Sequence, residues 1–145
     1  MQVEATRRPA GSTVFRLFVY FQRIVAAACL GAGLRYWALL SGVFGNDLWR
    51  FDLMPTHWQV ASAALAVLFP VAAIGLWMPV SWGAVVWFVA AVTETAMYLG
   101  FPHLFGHQPI TPILHGVVAV IYVALRVAVF LEKRRSRRPV RYDSP

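Results

Sequence analysis

Four long apolar stretches decide what this chain can fold into. Residues 24–43, 58–77, 82–101 and 113–131 are each almost free of charge. A helix needs about 20 residues, at roughly 1.5 Å each, to cross the hydrocarbon core of a bilayer. Of all residues 59% are hydrophobic and 13% charged, where a soluble domain carries about a quarter charged residues. A small domain leaves much of its surface in contact with solvent. Water is therefore a poor solvent for this surface and lipid a good one. The reading is an all-α fold, an integral membrane four-helix bundle.

The segments between the stretches punctuate them. Residues 1–13 are polar, with Pro9 and Gly11, and read as a disordered cytoplasmic arm. The membrane domain is 14–131, with helices expected over about 15–43, 58–77, 82–101 and 113–131. Pro79, within residues 78–81, sets a tight hairpin between the second and third helices. Residues 44–57 mix aromatic and acidic groups, as an interfacial loop would. Residues 102–112 hold three prolines and one glycine, so no helix is expected there. Residues 132–145 form a basic cytoplasmic tail. The sequence has no internal repeat.

Lys and Arg positions give the orientation. Eleven basic residues (Arg7, Arg8, Arg16, Arg23, Arg126, Lys133, Arg134, Arg135, Arg137, Arg138 and Arg141) fall on segments at one side, and one, Arg50, on the other. The side rich in Lys and Arg is the cytoplasmic one. Both termini are then cytoplasmic (N-in/C-in), in agreement with an even number of crossings, and the location is the bacterial inner membrane. Trp37, Trp49, Trp58, Trp77 and Trp82 fall near helix ends, as an aromatic belt does. The net charge of +7 sits near the two ends and suits anionic headgroups rather than nucleic acid. Arg126, Lys133, Arg134, Arg135, Arg137 and Arg138 are read as lipid anchors, with Arg126 snorkelling toward headgroups.

The start of the first stretch has a rival reading as a cleaved signal, since Ala26-Ala27-Ala28-Cys29 resembles a lipoprotein box. Arg23 interrupts the apolar region before it, and the segment stays apolar well beyond Cys29. Cys29, the sole cysteine, is instead expected to be a small packed residue. The four-residue spacings Ala27/Gly31 and Ala28/Ala32 would let another helix come close.

Arg35 and Glu94 are the charges that do not belong in lipid. Arg35 lies about 12 Å below the expected end of its helix at Val43, and Glu94 about 9 Å below Gly100. Each would cost at least ~3 kcal/mol if isolated there. Two opposite charges at one depth are expected to face inward and meet as an intramembrane polar pair. Otherwise Glu94 is protonated, since a low-dielectric site disfavours the carboxylate. The pair is either a structural clasp or a binding or proton-handling site. Tyr36, Tyr98 and His115, with Thr93 and Thr95, could extend it into a network. All four histidines, His57, His103, His107 and His115, fall toward the outer side. Imidazole is a common metal ligand, and the four-residue spacing of His103 and His107 would put both rings on one face of a helix, but their proline-rich segment is not expected to be helical, and interfacial histidine is the plainer reading. No metal site, cofactor or catalytic set is expected, and the chain has no phosphate loop or nucleotide fingerprint.

The layout also resembles the DoxX-like group of small four-helix bacterial membrane proteins. The likeness rests on Gly31-Ala32-Gly33-Leu34-Arg35-Tyr36-Trp37 at the end of a long first helix and on Ile74-Gly75-Leu76-Trp77-Met78-Pro79 at the tight hairpin. It covers roughly residues 16–131 and implies a quinone-linked redox role. The acidic residue that such proteins often carry in the second helix is missing, since residues 58–77 hold no Asp or Glu. An uncharacterised family of small bacterial inner-membrane proteins fits the layout equally. Three functions follow: an accessory subunit of a membrane assembly, partnered by other membrane subunits or by copies of itself; a redox protein of DoxX type; and a small proton-coupled carrier using Arg35 and Glu94.

Overall fold

The structure is a computed structural model that describes residues 12–43 and 50–135. It is helical throughout, with no strand among the described residues. Helix α1 spans Thr13–Leu40, α2 Thr56–Trp77, and α3 Ser81–Thr95, which runs on through a π turn, Ala96–Gly100. The short α4, Pro102–Phe105, precedes α5, Ile110–Arg135. Four of these segments (α1, α2, α3 with its π turn, and α5) are long and apolar enough to cross a membrane.

Local chemistry sets the ends. The Ser12 side chain caps α1 by accepting the Phe15 N–H at 3.2 Å, which satisfies one of the first-turn donors. The loop 102–112, expected to be non-helical, is partly helical: Pro102 opens α4, and Pro112 sits in the first turn of α5. First-turn N–H groups have no partner within the helix, so proline costs nothing there. The helix also continues past Leu131 to Arg135, so Lys133, Arg134 and Arg135 stand on it. Residues 1–11, Arg137, Arg138 and Arg141 lie outside the described residues.

The helices form a ring, with α1 packed on α2, α2 on α3, α3 on α5 and α5 back on α1. Its core is the α1 stripe Phe18, Gln22, Val25, Ala26, Cys29, Gly33, Tyr36 and Leu39, spaced at three and four residues, against α2. Glycine makes two close approaches possible. A methyl group on Gly33 would lie 2.6 Å from the Pro70 side chain, so α1 and α2 touch only because it is absent. A methyl group on Gly75 would lie 2.5 Å from the Gly83 Cα, which fixes the α2–α3 hairpin. Gly31, by contrast, faces open space, so the close contact is one turn away from the Ala27/Gly31 spacing.

Pro70 lies inside α2 and lacks the N–H that would bond the carbonyl four residues back, that of Ala66. In hydrocarbon that carbonyl needs another donor. The Trp37 indole supplies it, donating Nε1–H to the Ala66 oxygen at 3.0 Å. Trp37 therefore ties α1 to α2 at the proline.

Helix α5 differs from the other three spans in burying none of its residues. It meets α1 near the start of that helix, where Phe18 packs on Tyr122 with ring centroids 5.6 Å apart. Arg126 lies 5.8 Å over the Phe18 ring, and Ser12 donates to Glu132 at 2.6 Å. The first residues of α1 and the last of α5 therefore meet at one end of the bundle.

Candidate functional site

Near the opposite end, the interior polar groups converge. The stripe that buries α1 brings Tyr36 inward, 1% exposed. Its hydroxyl donates to Glu94 Oε1 of α3 at 2.6 Å. The other carboxyl oxygen, Oε2, lies 2.8 Å from His115 Nε2 of α5. Both lengths are those of charge-assisted bonds. Glu94 is therefore shared by three helices. Aromatic rings enclose the contact. Phe69 stacks with Tyr36 on one side and with His115 on the other, at 6.0 and 6.3 Å. The edge of the group is closed by Trp87, tilted at 62° to His115. Such walls exclude water, and a low dielectric strengthens the bonds they surround.

Arg35 does not reach Glu94. No ion pair joins them among the described residues. The guanidinium instead adjoins the Tyr98 hydroxyl, itself beside Tyr36. The physical reason is angular: adjacent helical residues point about 100° apart, and the inward position belongs to Tyr36. Arg35 remains exposed and faces a cleft.

That cleft, about 400 Å³, opens between α1 and α5. Its apolar wall includes Phe21, Ile24, Ala28 and Ala32 of α1 and Leu114 and Val118 of α5, with Phe69 and Trp87 behind. The polar lining residues, Arg35, Glu94, Thr111 and His115, gather toward the end where α1 finishes and α5 begins. Ala28, Cys29 and Ala32 are small, and this leaves room between helices that meet properly only near Phe18. A second cleft of similar volume, between α3 and α5, also reaches His115 and has no Asp, Glu, Lys or Arg in its lining.

The remaining sequence candidates scatter. His57 Nε2 lies 3.2 Å from the Leu104 carbonyl, with its ring edge-on to Phe105. His103 neighbours Phe101, and His107 is exposed. No three His, Cys, Asp or Glu side chains gather among the described residues. Thr93 bonds back to the Val89 carbonyl of its own helix at 2.8 Å. Arg134 lies over Phe130, and Lys133 and Arg135 are exposed. Phe69 and Trp87, which build the site's walls, carry no signal in the sequence beyond being aromatic. The buried polar groups Gln22 and Ser62, 3% and 0% exposed, were likewise hidden among apolar neighbours.

Four apolar spans around an interior polar cluster, with a cleft opening sideways between two of them, define a small multi-pass membrane protein. The chain belongs to the family of unknown function DUF6163, which matches residues 16–133. That match takes in all but a few terminal residues of the first and last spans, and every residue of the cluster. No curated protein matches the chain. No solved structure matches it either. Nothing in these comparisons links it to DoxX-like proteins.

Proposed function

We propose that this is a multi-pass protein of the bacterial inner membrane, with both termini cytoplasmic, that binds a membrane-dissolved amphipathic molecule in the cleft between α1 and α5. The carrying observation is the placement of Arg35, Thr111, Glu94 and His115 at one end of an otherwise apolar cleft. Ligand pockets occupy roughly 300–1,000 Å³, with apolar walls and a few convergent polar groups, and about 400 Å³ lies within that range. Cytoplasmic termini are supported by the positive-inside bias and by the Ser12–Glu132 contact that puts both ends of the bundle together. Intramembrane ionisable groups mark sites where chemistry or binding occurs.

The test is native mass spectrometry of the full chain released from its own membranes in mild detergent. A retained small-molecule adduct is expected, together with its disappearance in Ala28→Phe, which fills the cleft without touching the polar cluster. Adducts that mirror the bulk lipid composition, in parent and variant alike, would contradict the reading. A second reading is a subunit of a larger membrane assembly or a homo-oligomer. It is favoured by α5, whose side chains are all left partly or fully exposed. A stoichiometric protein partner in the same spectrum would support it.

A further inference from the structure

We infer that the occupant of the α1–α5 cleft is a single-chain amphiphile with an acidic head, a carboxylate or a phosphate. This inference rests on the cleft-binding reading above and adds the chemistry of what is bound. The tail follows from shape. On α1 the lining runs from Phe21 to Arg35, fourteen residues apart and so about 21 Å along the helix axis. Volume is at the small end of the range for ligand pockets. A groove this long and this narrow suits one extended chain rather than two. Small residues on its floor, Ala28, Cys29 and Ala32, leave the width of such a chain and supply no polar atom to a branched or hydroxylated one.

The head follows from what the polar end still has to offer. Glu94 is committed, with Oε1 on Tyr36 and Oε2 on His115, and its side chain is 6% exposed. Arg35 is committed only in part: its guanidinium adjoins the Tyr98 hydroxyl, but it is exposed to the cleft, has no carboxylate partner among the described residues, and has further N–H donors to give. Guanidinium is a planar fork of donors with no acceptor, matched to the two oxygens of a carboxylate or phosphate. Thr111 adds a hydroxyl on the facing helix. The uncommitted capacity is therefore donor-rich and cationic. It lies toward one end of the span, with Arg35 five residues before the end of α1 at Leu40, so a head group there leaves the tail to run along the apolar part of the cleft. The cleft between α3 and α5 has no Arg or Lys in its lining and, the Trp87 indole aside, Thr95 and His115 are its only polar side chains.

The test uses the full chain in nanodiscs of zwitterionic phosphatidylcholine with a photoreactive palmitic acid whose diazirine sits on the chain. Labelling is expected on peptides carrying Ile24 and Ala28 of α1 and Leu114 and Val118 of α5. Palmitate and lysophosphatidate should displace the probe at about tenfold lower concentration than hexadecanol or monopalmitin, an advantage of the size a charge-assisted hydrogen bond gives. Whichever of the two acids competes better names the head group. Arg35→Gln should erase the advantage of acidic heads, and Arg35→Lys, which keeps the charge, should retain it in large part. Because Arg35 is exposed and its described contact is with the Tyr98 hydroxyl rather than a carboxylate, both variants should fold, with melting temperatures close to the parent's. If acidic and neutral heads compete equally and Arg35→Gln changes neither, the head assignment is overturned. In that case labelling still abolished by Ala28→Phe leaves the cleft reading standing. If the lining is never labelled, or Ala28→Phe leaves labelling intact, the cleft reading itself fails.

Discussion

Removing one oxygen atom, in Tyr36→Phe, probes the interior cluster with little other disturbance. The phenyl ring keeps the space and the stacking on Phe69, so no cavity opens. What goes is the hydroxyl that donates to Glu94 at 2.6 Å. Two magnitudes compete. Hydrogen bonds between transmembrane helices average ~0.6 kcal/mol in double-mutant cycles, whereas a bond to a charged group is worth about 1.5–3 kcal/mol. The observed length falls in the short range, roughly 2.5–2.7 Å, typical of a hydroxyl on a carboxylate, and both Tyr36 and Glu94 are buried. The larger figure is therefore expected, about 2 kcal/mol of destabilisation. The assay is reversible unfolding in bicelles of the parent, Tyr36→Phe, Glu94→Gln and the double variant. The cycle should return a coupling above about 1 kcal/mol, since groups in one hydrogen-bond network are non-additive. Additive single effects, or a Tyr36→Phe protein as stable as the parent, would refute the cluster's structural weight.

Three further outcomes are expected. Gly33→Ala drives a methyl group into Pro70 and should cost about 1–3 kcal/mol, the usual penalty of overpacking, while Gly31→Ala should leave the melting temperature unchanged; equal effects would contradict the α1–α2 contact. Trp37→Phe should cost about 1 kcal/mol or more with Pro70 present, because the Ala66 carbonyl is left without its donor. It should cost clearly less in a Pro70→Ala background, where the helix restores its own bond; identical costs in the two unfolding series would rule out that exchange. Reporter fusions should find both termini on the cytoplasmic face, and a periplasmic signal from either end would sink the orientation.

The spans were legible because hydrocarbon allows few solutions, and hydropathy reads them directly. Their ends were less so. Pro112 looked like a breaker, yet in the first turn of a helix it replaces an N–H that had no partner. The site was legible in depth but not in direction. Counting residues puts Arg35 and Glu94 at similar levels, yet depth says nothing of which way a side chain turns. The α1 stripe passing through Cys29, Gly33 and Tyr36 was the available signal, for it selects Tyr36 and leaves Arg35 off the inward face. No such signal exists for Phe69 and Trp87, since a helix apolar all round has no preferred side. The exchange between Trp37 and Pro70 depends on how α1 and α2 align, which no property of either helix alone reveals. The room beside α5 arises the same way, from small residues on α1 facing a helix that approaches closely only near Phe18.

The most direct measurement of the account is solid-state nuclear magnetic resonance of the protein in lipid bilayers. The imidazole of His115 is labelled with ¹⁵N and the Glu94 carboxyl carbon with ¹³C. A strong dipolar coupling between His115 Nε2 and that carbon is expected, as their 2.8 Å nitrogen-to-oxygen approach requires, and Glu94→Ala should abolish it. No coupling in the parent, or an imidazole in exchange with bulk water, would show that α3 and α5 do not close around a shared carboxyl group inside the membrane.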